Sequence, residues 1–406
     1  MKKLALAFIL VLCVALSACG TSSEKKVINV YNWGEYISDG SEGSLDVNAA
    51  FEEYYYENYH EEIEVIYTTY ASNEDMYAKL KSGAAGYDVI IPSDYMIARL
   101  IDEDMLEKID FQNIPNYANI SDEFRGLYYD PSNEYSVPYT YGMVGVIYNS
   151  TVVDEADTGK WDLMWNEKYA GRILQFNNSR DAFGTAMYKL GIDVNTTSES
   201  EWRLALEELK KQQPHVQGYV MDEIFNKMES GEASISAYYA GDYLCMIENN
   251  EDLGFFYPTD DDGNYVTNLF VDAYCIPKGA ANKKLAEIYI NYMLSEEPAI
   301  ANAEYIYYAS PNAAVYENEV YIEDMGEDAM NILYPDGFDF NENYNKMSYH
   351  NLDSETLKLV NNLWEELKIS SATGETVYVL AVVIIVALVA YAIFHTVRKR
   401  KRAKYY

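Results

Sequence analysis

Apolar runs alternate with amphipathic segments along the first hundred residues that follow the hydrophobic N-terminus. The runs VINVY, EIEVIYTTY and YDVIIP begin at residues 27, 62 and 87, and they have the continuous or period-two apolar patterns of strands. Helical patterns follow them at 45–59, 73–82 and 94–104, with Ser72 as a candidate N-cap for the second. Three strand-helix units in succession predict a parallel sheet covered on both faces, and hence an α/β fold.

The rest of the chain continues this alternation after one long extended segment. YSVPYTYGMVGVIYN, at 135–149, predicts extended chain at a crossover or hinge, because it carries Pro138 and two glycines. RILQF at 172–176 predicts a strand, and the residues at 177–179 predict a turn that caps the next helix. Further predicted elements are a strand that turns into a helix through Gly241 over 233–248, a buried strand at 268–277, and helices at 180–190, 201–212, 222–230, 284–294 and 352–368.

Aromatic and acidic residues follow the first three strands directly. The stretches are WGEY at 33–36, YAS at 70–72 and PSDY at 92–95. Ligands of open α/β sheets bind outside the carboxyl ends of the strands, so we expect these side chains to share one rim. The rim holds two acids and several rings but no Lys or Arg, which favours a cationic ligand.

A linear polyamine has both features that such a rim recognises. Carboxylates hold its ammonium groups by charge-assisted hydrogen bonds, and ring faces hold them by cation–π contacts. The same rings pack against the methylene segments between the amines. The alternative is that Trp33 and the tyrosines are ordinary core or surface residues, since the chain contains 41 Tyr.

Both ends of the chain indicate attachment to a membrane. Residues 1–18 have the layout of a secretory signal peptide, and Leu16 to Cys19 resemble the lipobox of bacterial lipoproteins. This predicts cleavage before Cys19, a lipid on its sulfur and a lipid-anchored linker at 19–26; the alternative is an uncleaved anchor. An uncharged apolar run begins at Val377, predicting a transmembrane helix at 377–397 after a polar spacer at 369–376. The basic tail at 398–406 places that end in the cytoplasm and the intervening chain outside it.

The part between these ends is strongly acidic. All 65 Asp and Glu lie between Glu24 and Glu375, where only 22 Lys and Arg offset them, giving a balance of −43. Such a field repels nucleic acid and attracts cations, although solubility or adaptation of an exported surface is the simpler explanation. We therefore expect no nucleic-acid partner.

Catalytic and metal-binding signatures are missing from the sequence. It contains no HExxH, no CxxC pair, no GxSxG and no phosphate loop, and none of its four histidines has a neighbour at metal-ligand spacing. The acidic stretch at 260–264 predicts a solvated turn rather than a weak calcium site. Cys245 and Cys275 are expected as buried thiols, with a disulfide as the alternative. The chain is thus predicted to be neither an enzyme nor a cofactor or metal protein.

Several motifs, in one order, resemble the spermidine/putrescine-binding proteins of bacterial ABC importers. The matching stretches are YNWGEY, TTYASNEDMYAKLKSGAAGYDVIIPSDYM, YSVPYTYGMVGVIYN, SRDAFG, LFVDAYCIP and YASPN, spread from Val27 to Lys368. The resemblance implies a two-lobed periplasmic-binding-protein clamshell of type II, with residues 27–137 and 273–315 in lobe 1 and residues 138–272 and 316–368 in lobe 2. It also implies a monomer that delivers a polyamine to a permease pair driven by a cytoplasmic ATPase.

The same resemblance implies thirteen ligand-binding side chains. They are Trp33, Glu35, Tyr36, Ser93, Asp94, Tyr95, Asn178, Asp181, Asp222, Tyr239, Phe270, Asp272 and Tyr308. Three features depart from the family pattern: Asn177 and Asn178 stand where two Asp are usual, Tyr239 and Phe270 replace tryptophans, and the segment between Tyr36 and Glu62 is longer and more acidic. The preferred polyamine therefore stays open, as do two other functions: a tethered polyamine sensor and a binder of another organic cation.

Overall fold

Nine strands form one continuous sheet in the computed structural model, which describes residues 25–83 and 86–372. The strands are β1 Lys26–Trp33, β2 Ile63–Tyr70, β3 Val89–Ile90, β4 Ser136–Asn149, β5 Ile173–Phe176, β6 Val216–Val220, β7 Ile235–Tyr239, β8 Leu253–Phe256 and β9 Leu269–Cys275. Their order is β2-β1-β3-β9-β4-β7-β5-β6, and β8 pairs with β4. The predicted parallel pairing is confirmed for β1 to β3, whereas β9 and β4 are antiparallel to their neighbours and make the sheet mixed.

The helices connect the strands in the predicted alternation. They are α1 Val47–Tyr59, α2 Asn73–Ser82, α3 Asp94–Asp102, α4 Ser179–Leu190, α5 Glu199–Gln212, α6 Glu223–Glu229, α7 Ala240–Asn249, α8 Lys283–Met293, α9 Glu296–Ile306, α10 Ala313–Tyr316, α11 Glu319–Leu333, α12 Phe340–Met347 and α13 Ser354–Ala372. Ser72 caps α2 as predicted, because its side chain accepts the Asp75 N–H at 3.1 Å. α3 ends two residues before the predicted position, since Asp104 has a left-handed φ of 52° that cannot continue a helix.

Two large hydrophobic cores lie along this sheet and define two lobes. The first core packs around β1, β2, β3, β9 and the first half of β4, and the second around β5, β7 and the second half of β4. On β4 the change falls between Met143 and Val144, and the Val144 N–H donates to the carbonyl of Asn268 at 3.0 Å. The first core includes buried residues from 138–143, 269–272 and 340–347, which the resemblance had assigned to lobe 2.

The described residues contain no helix that is long and apolar enough to cross a membrane. The expected signal peptide, Cys19, the expected transmembrane helix and the basic tail lie outside the described residues. Residues 369–372, expected as part of a polar spacer, instead continue α13. Cys245 and Cys275 are both free thiols, so the disulfide alternative is wrong.

Candidate functional site

A cleft with about 770 Å³ of space, part of it open to solvent, lies between the two lobes. All thirteen residues that the resemblance singled out line it. The first lobe contributes those that end or follow β1, those that follow β3, those of β9, and Tyr308 after α9. The second lobe contributes those that follow β5 and β6 or end β7. The rim expected from the strand ends is therefore present in the fold, while the role of each side chain in binding stays a prediction.

Seven carboxylates line the cleft, and no Lys, Arg or His does so among the described residues. They are Glu35, Glu74, Asp94, Asp181, Asp222, Asp242 and Asp272. Burying several like charges together without a cation is unfavourable, so such a site favours a positively charged occupant or bound protons.

Asp272 presents an oxygen that has no partner. Its side chain is buried, and its Oδ2 accepts the hydroxyl of Tyr36 at 2.8 Å, while that hydroxyl also hydrogen-bonds Thr140. Its Oδ1 is buried without a hydrogen-bond partner among the described residues. Burial raises the pKa of Asp272 to about 6, opposed by the nearby hydroxyls of Ser93 and Tyr36, although the Ser93 hydroxyl does not meet hydrogen-bond geometry with Oδ1. A buried unpaired acceptor is costly, and an ammonium N–H would satisfy this one.

Asp94, in contrast, is fully occupied by the protein. Its Oδ1 accepts the Tyr95 N–H at 2.7 Å, and its Oδ2 accepts the Tyr344 hydroxyl at 2.7 Å and the Val271 N–H at 3.3 Å. Burial raises the pKa of Asp94 to about 7. These contacts join α3 to β9 and α12, so Asp94 holds the cleft wall together as well as lining it.

The second lobe supplies a hydrogen-bonded carboxylate at the start of α4. Asp181 Oδ2 accepts Asn178 Nδ2 at 2.7 Å and the Tyr239 hydroxyl at 2.9 Å. Asn178 Oδ1 accepts the Asp181 N–H at 2.8 Å, so Asn178 is the N-cap of α4 in addition to lining the cleft. Burial raises the pKa of Asp181. The amide of Asn178 holds the carboxylate of Asp181 in place. It thus partly compensates for the absence of the acid that the family pattern has at this position.

A further acidic group, at Asp242, was missed from the sequence. Its Oδ2 accepts the Tyr308 hydroxyl at 3.0 Å. Burial raises the pKa of Asp242 to about 8, with smaller contributions from the nearby charges of Asp222 and Glu35. Asp242 lies in the first turn of α7, just after β7 ends, so the strand-end rule that predicted the rim would have found it.

Glu74 and Tyr349 were also missed. Glu74 lies in the first turn of α2 and accepts the Tyr95 hydroxyl at 3.0 Å, and burial raises its pKa. Its strand-end position was likewise visible in the sequence. Tyr349 follows α12 and reaches the cleft from far along the chain, so no local signal marked it.

Aromatic rings form the wall between the carboxylates. Phe270 makes edge contacts with Tyr239 and Tyr308, at centroid distances of 5.4 and 6.2 Å. Tyr36 contacts Tyr308 at 4.8 Å, also edge-on. Trp33 packs on its neighbouring strand and lines the cleft. The cleft therefore alternates charged and apolar surface.

The lobes approach each other closely at the mouth of the cleft. A Cβ atom built on Gly34, in the first lobe, would lie 2.7 Å from Oδ2 of Asp222, in the second. Gly34 therefore permits an approach that a larger residue would allow only if the exposed Asp222 side chain rotated away.

We expect Gly34→Ala to weaken ligand binding only about twofold, because its Cβ would displace just the carboxylate end of the exposed Asp222 side chain. Gly218→Ala is the matched control, because a Cβ there meets nothing within 4 Å and the φ is ordinary. Titration calorimetry on both variants checks the prediction. Equal affinities of the two variants would show that the close approach of Gly34 to Asp222 is not needed in the ligand-bound state.

Two lobes, joined by crossing strands and closed over a cleft lined by carboxylates and rings, define a class: a hinged protein that binds small cationic solutes. The chain belongs to the family described as bacterial extracellular solute-binding proteins, whose sequence profile matches residues 49–326. This family consists of binding proteins, which confirms the prediction that the chain is not an enzyme.

Relatives with the same architecture agree with the resemblance found in the sequence. The spermidine/putrescine-binding periplasmic protein of Salmonella typhimurium is 33% identical over 294 residues, covering 72% of this chain and 80% of that protein. A putative spermidine/putrescine ABC transporter structure from Listeria monocytogenes is 30% identical with a TM-score of 0.73, covering 85% of this chain and 100% of the other. The substrate-binding protein PotD of a Streptococcus pneumoniae spermidine/putrescine ABC transporter is 31% identical with a TM-score of 0.66, covering 86% and 100%.

Proposed function

We propose that this chain binds a linear polyamine of the spermidine and putrescine class outside the cytoplasm and delivers it to an ABC importer. The observation that carries the proposal is the unpaired, buried Oδ1 of Asp272 in a cleft that holds seven carboxylates and no basic side chain among the described residues. Several relatives that are named for spermidine and putrescine support the same ligand class.

The alternation of charge and rings matches the chemistry of that ligand. Asp272 and Asp181 offer carboxylates at the part of the cleft next to Tyr36 and Tyr239, and Asp242 offers another beside Tyr308. Phe270 lies between these groups in contact with two of the tyrosines. Ammonium groups fit the acids and methylene segments fit the rings, whereas a neutral solute would leave the buried charges unpaired.

Delivery follows from a shift between open and closed lobes. A ligand that contacts both lobes stabilises the closed state by its extra contacts there, and opening at the permease releases it. The partners are a permease pair and its cytoplasmic ATPase, and no bond is made or broken in this chain.

We further propose that the protein is a membrane-tethered monomer, with a lipid on Cys19 and a transmembrane helix at 377–397. The supporting features are the lipobox-like residues up to Cys19 and the uncharged run that precedes the basic tail at 398–406. Cell fractionation of the Cys19→Ala chain tests the two tethers separately. Retention in the membrane is expected for this variant, and release is expected only when the run at 377–397 is removed as well.

Calorimetric titration of the purified full chain with putrescine, cadaverine, spermidine and spermine tests the proposed ligand. We expect saturable binding that weakens as salt is added, because the attraction is ionic. Butane-1,4-diol is the matched control for putrescine, since it keeps the length and removes the charges. Binding of another organic cation with none of the four amines would overturn the polyamine assignment.

A further inference from the structure

A second unpaired acceptor lies in the cleft, on the same strand face as Asp272. Asn268 directly precedes β9, and its side chain lines the cleft and is buried. Its Oδ1 has no hydrogen-bond partner within the described part of the chain. Leaving a buried amide oxygen unpaired is unfavourable, so this atom, like Oδ1 of Asp272, calls for a donor supplied from outside the protein.

Strand geometry places Asn268, Phe270 and Asp272 in a row. Alternate residues of a strand face the same side, and all three line the cleft, whereas Leu269 and Val271 do not. Along this row an oxygen acceptor is followed by a ring and then by a carboxylate. The row has the same order of features as an amine, its methylene segment and a second amine.

The spacing of the row selects the length of a ligand that reaches both ends. Residues four apart on a strand are separated by about 13 Å, at about 3.3 Å per residue. Side chains of a strand stand roughly perpendicular to the sheet and lean the same way, so we expect the two oxygens to lie about this far apart.

Putrescine is too short for that separation and spermidine is not. An extended chain advances about 1.2 Å per bond, so the five bonds of putrescine span about 6 Å and the nine bonds of spermidine about 11 Å. A hydrogen bond of about 2.8 Å at each end raises the limits to about 12 Å and about 17 Å. Only the longer amine reaches both oxygens, with room for bent hydrogen bonds.

We propose that Asn268 is a specificity-determining residue that accepts a hydrogen bond from one terminal amine of a spermidine-length ligand whose other terminal amine binds Asp272. This inference rests on the proposed function and adds the length of the ligand to it. Asn268 would also connect ligand binding to the hinge, because its main-chain carbonyl accepts the Val144 N–H where the chain passes between the lobes.

The test compares three ligands on the purified full chain and on the Asn268→Leu variant. The ligands are putrescine, spermidine and octane-1,8-diamine, which matches spermidine in length but lacks the central amine. We expect Asn268→Leu to lose about tenfold in affinity for both long amines, the contribution of one buried hydrogen bond, and less than about twofold for putrescine. Asn361→Leu is the control, because Asn361 is an exposed asparagine of α13 that does not line the cleft.

Asn268→Asp keeps the shape and the acceptor, so it provides a second variant in case leucine disturbs folding. We expect it to bind the two long amines at least as tightly as the unchanged chain does. Equal losses for short and long amines in Asn268→Leu, or a loss of the long amines alone in Asn268→Asp, would overturn the assignment of Asn268. Failure of the unchanged chain to bind any of the three ligands would instead overturn the proposed function.

Discussion

Asp272→Asn should reduce the affinity for polyamines about 30-fold or more. Asp272 is the buried acid with a free oxygen, and removing one partner of a buried, hydrogen-bonded charge pair costs about 2–5 kcal/mol. Asparagine keeps the shape and can still accept from Tyr36, but it supplies no charge to an ammonium. Titration calorimetry with one polyamine at fixed salt and pH gives the ratio of dissociation constants.

Asp94→Asn is the matched control for this change. Both acids are buried in the same lobe, but the oxygens of Asp94 already accept three hydrogen bonds from the protein. Asp94→Asn should therefore weaken binding much less than Asp272→Asn does, and it should act mainly through the packing of α3 on β9. Small and equal losses in the two variants would remove Asp272 from its proposed role.

Polyamine affinity should rise about 100-fold or more between pH 5 and pH 8, at about tenfold per pH unit for each proton that the ligand displaces. Burial raises the pKa of Asp242 to about 8 and of Asp272 to about 6 in the ligand-free cleft. An ammonium group favours the ionised carboxylate, so binding releases protons wherever these groups hold them. The amines themselves keep their charge over this range.

The free energy of unfolding of the ligand-free protein, unlike its affinity for polyamines, should fall as the pH rises. A carboxyl group whose folded pKa is raised contributes stability below its unfolded pKa, and that contribution is lost as the pH rises through the folded pKa. For Asp242 this loss of stability extends from about pH 4 to about pH 8. Burial lowers the pKa of His350, so this residue makes the folded protein less stable as the pH falls below its ordinary pKa of 6.5. Thermal unfolding is therefore best followed above that pH, where the carboxyl groups are not opposed by His350.

Asp242→Asn tests both pH effects with one substitution. The variant should show a flatter decline of melting temperature between pH 6.5 and pH 8.5 than the unchanged chain. Its affinity should also change less with pH over the same range. An affinity that is independent of pH in the unchanged chain would show that the ligand displaces no protons from the cleft.

The site was predictable where it depends on strand ends and on local capping. Trp33 ends β1, and Asp94 and Asn178 follow β3 and β5. Parallel strands bring their carboxyl ends together whatever the distant packing. Asp242 and Glu74 obey the same rule, since each lies in the first turn of a helix that follows a strand. The strand-end rule therefore covers more of the site than the thirteen predicted residues.

The division between the lobes was not predictable in the same way. Whether 138–143 belongs with the first core depends on its antiparallel pairing with β9, more than a hundred residues further along. Likewise α12 joins the first core through Tyr344, whose hydroxyl reaches Asp94 across 250 residues of chain. Such pairings are set by tertiary packing, and apolar patterns alone do not specify them.

Neither core is built from one continuous stretch, and this has a kinetic consequence. The first core draws on residues from Ile28 to Met347, and the second on residues from Val144 to Leu367. Contacts so far apart in sequence form slowly, because the entropy of closing long loops opposes them until the partner segments are present. When the N-terminus of the chain emerges first, neither lobe can be completed until the last helices have also emerged. Until then the chain stays unfolded enough to pass through a narrow channel.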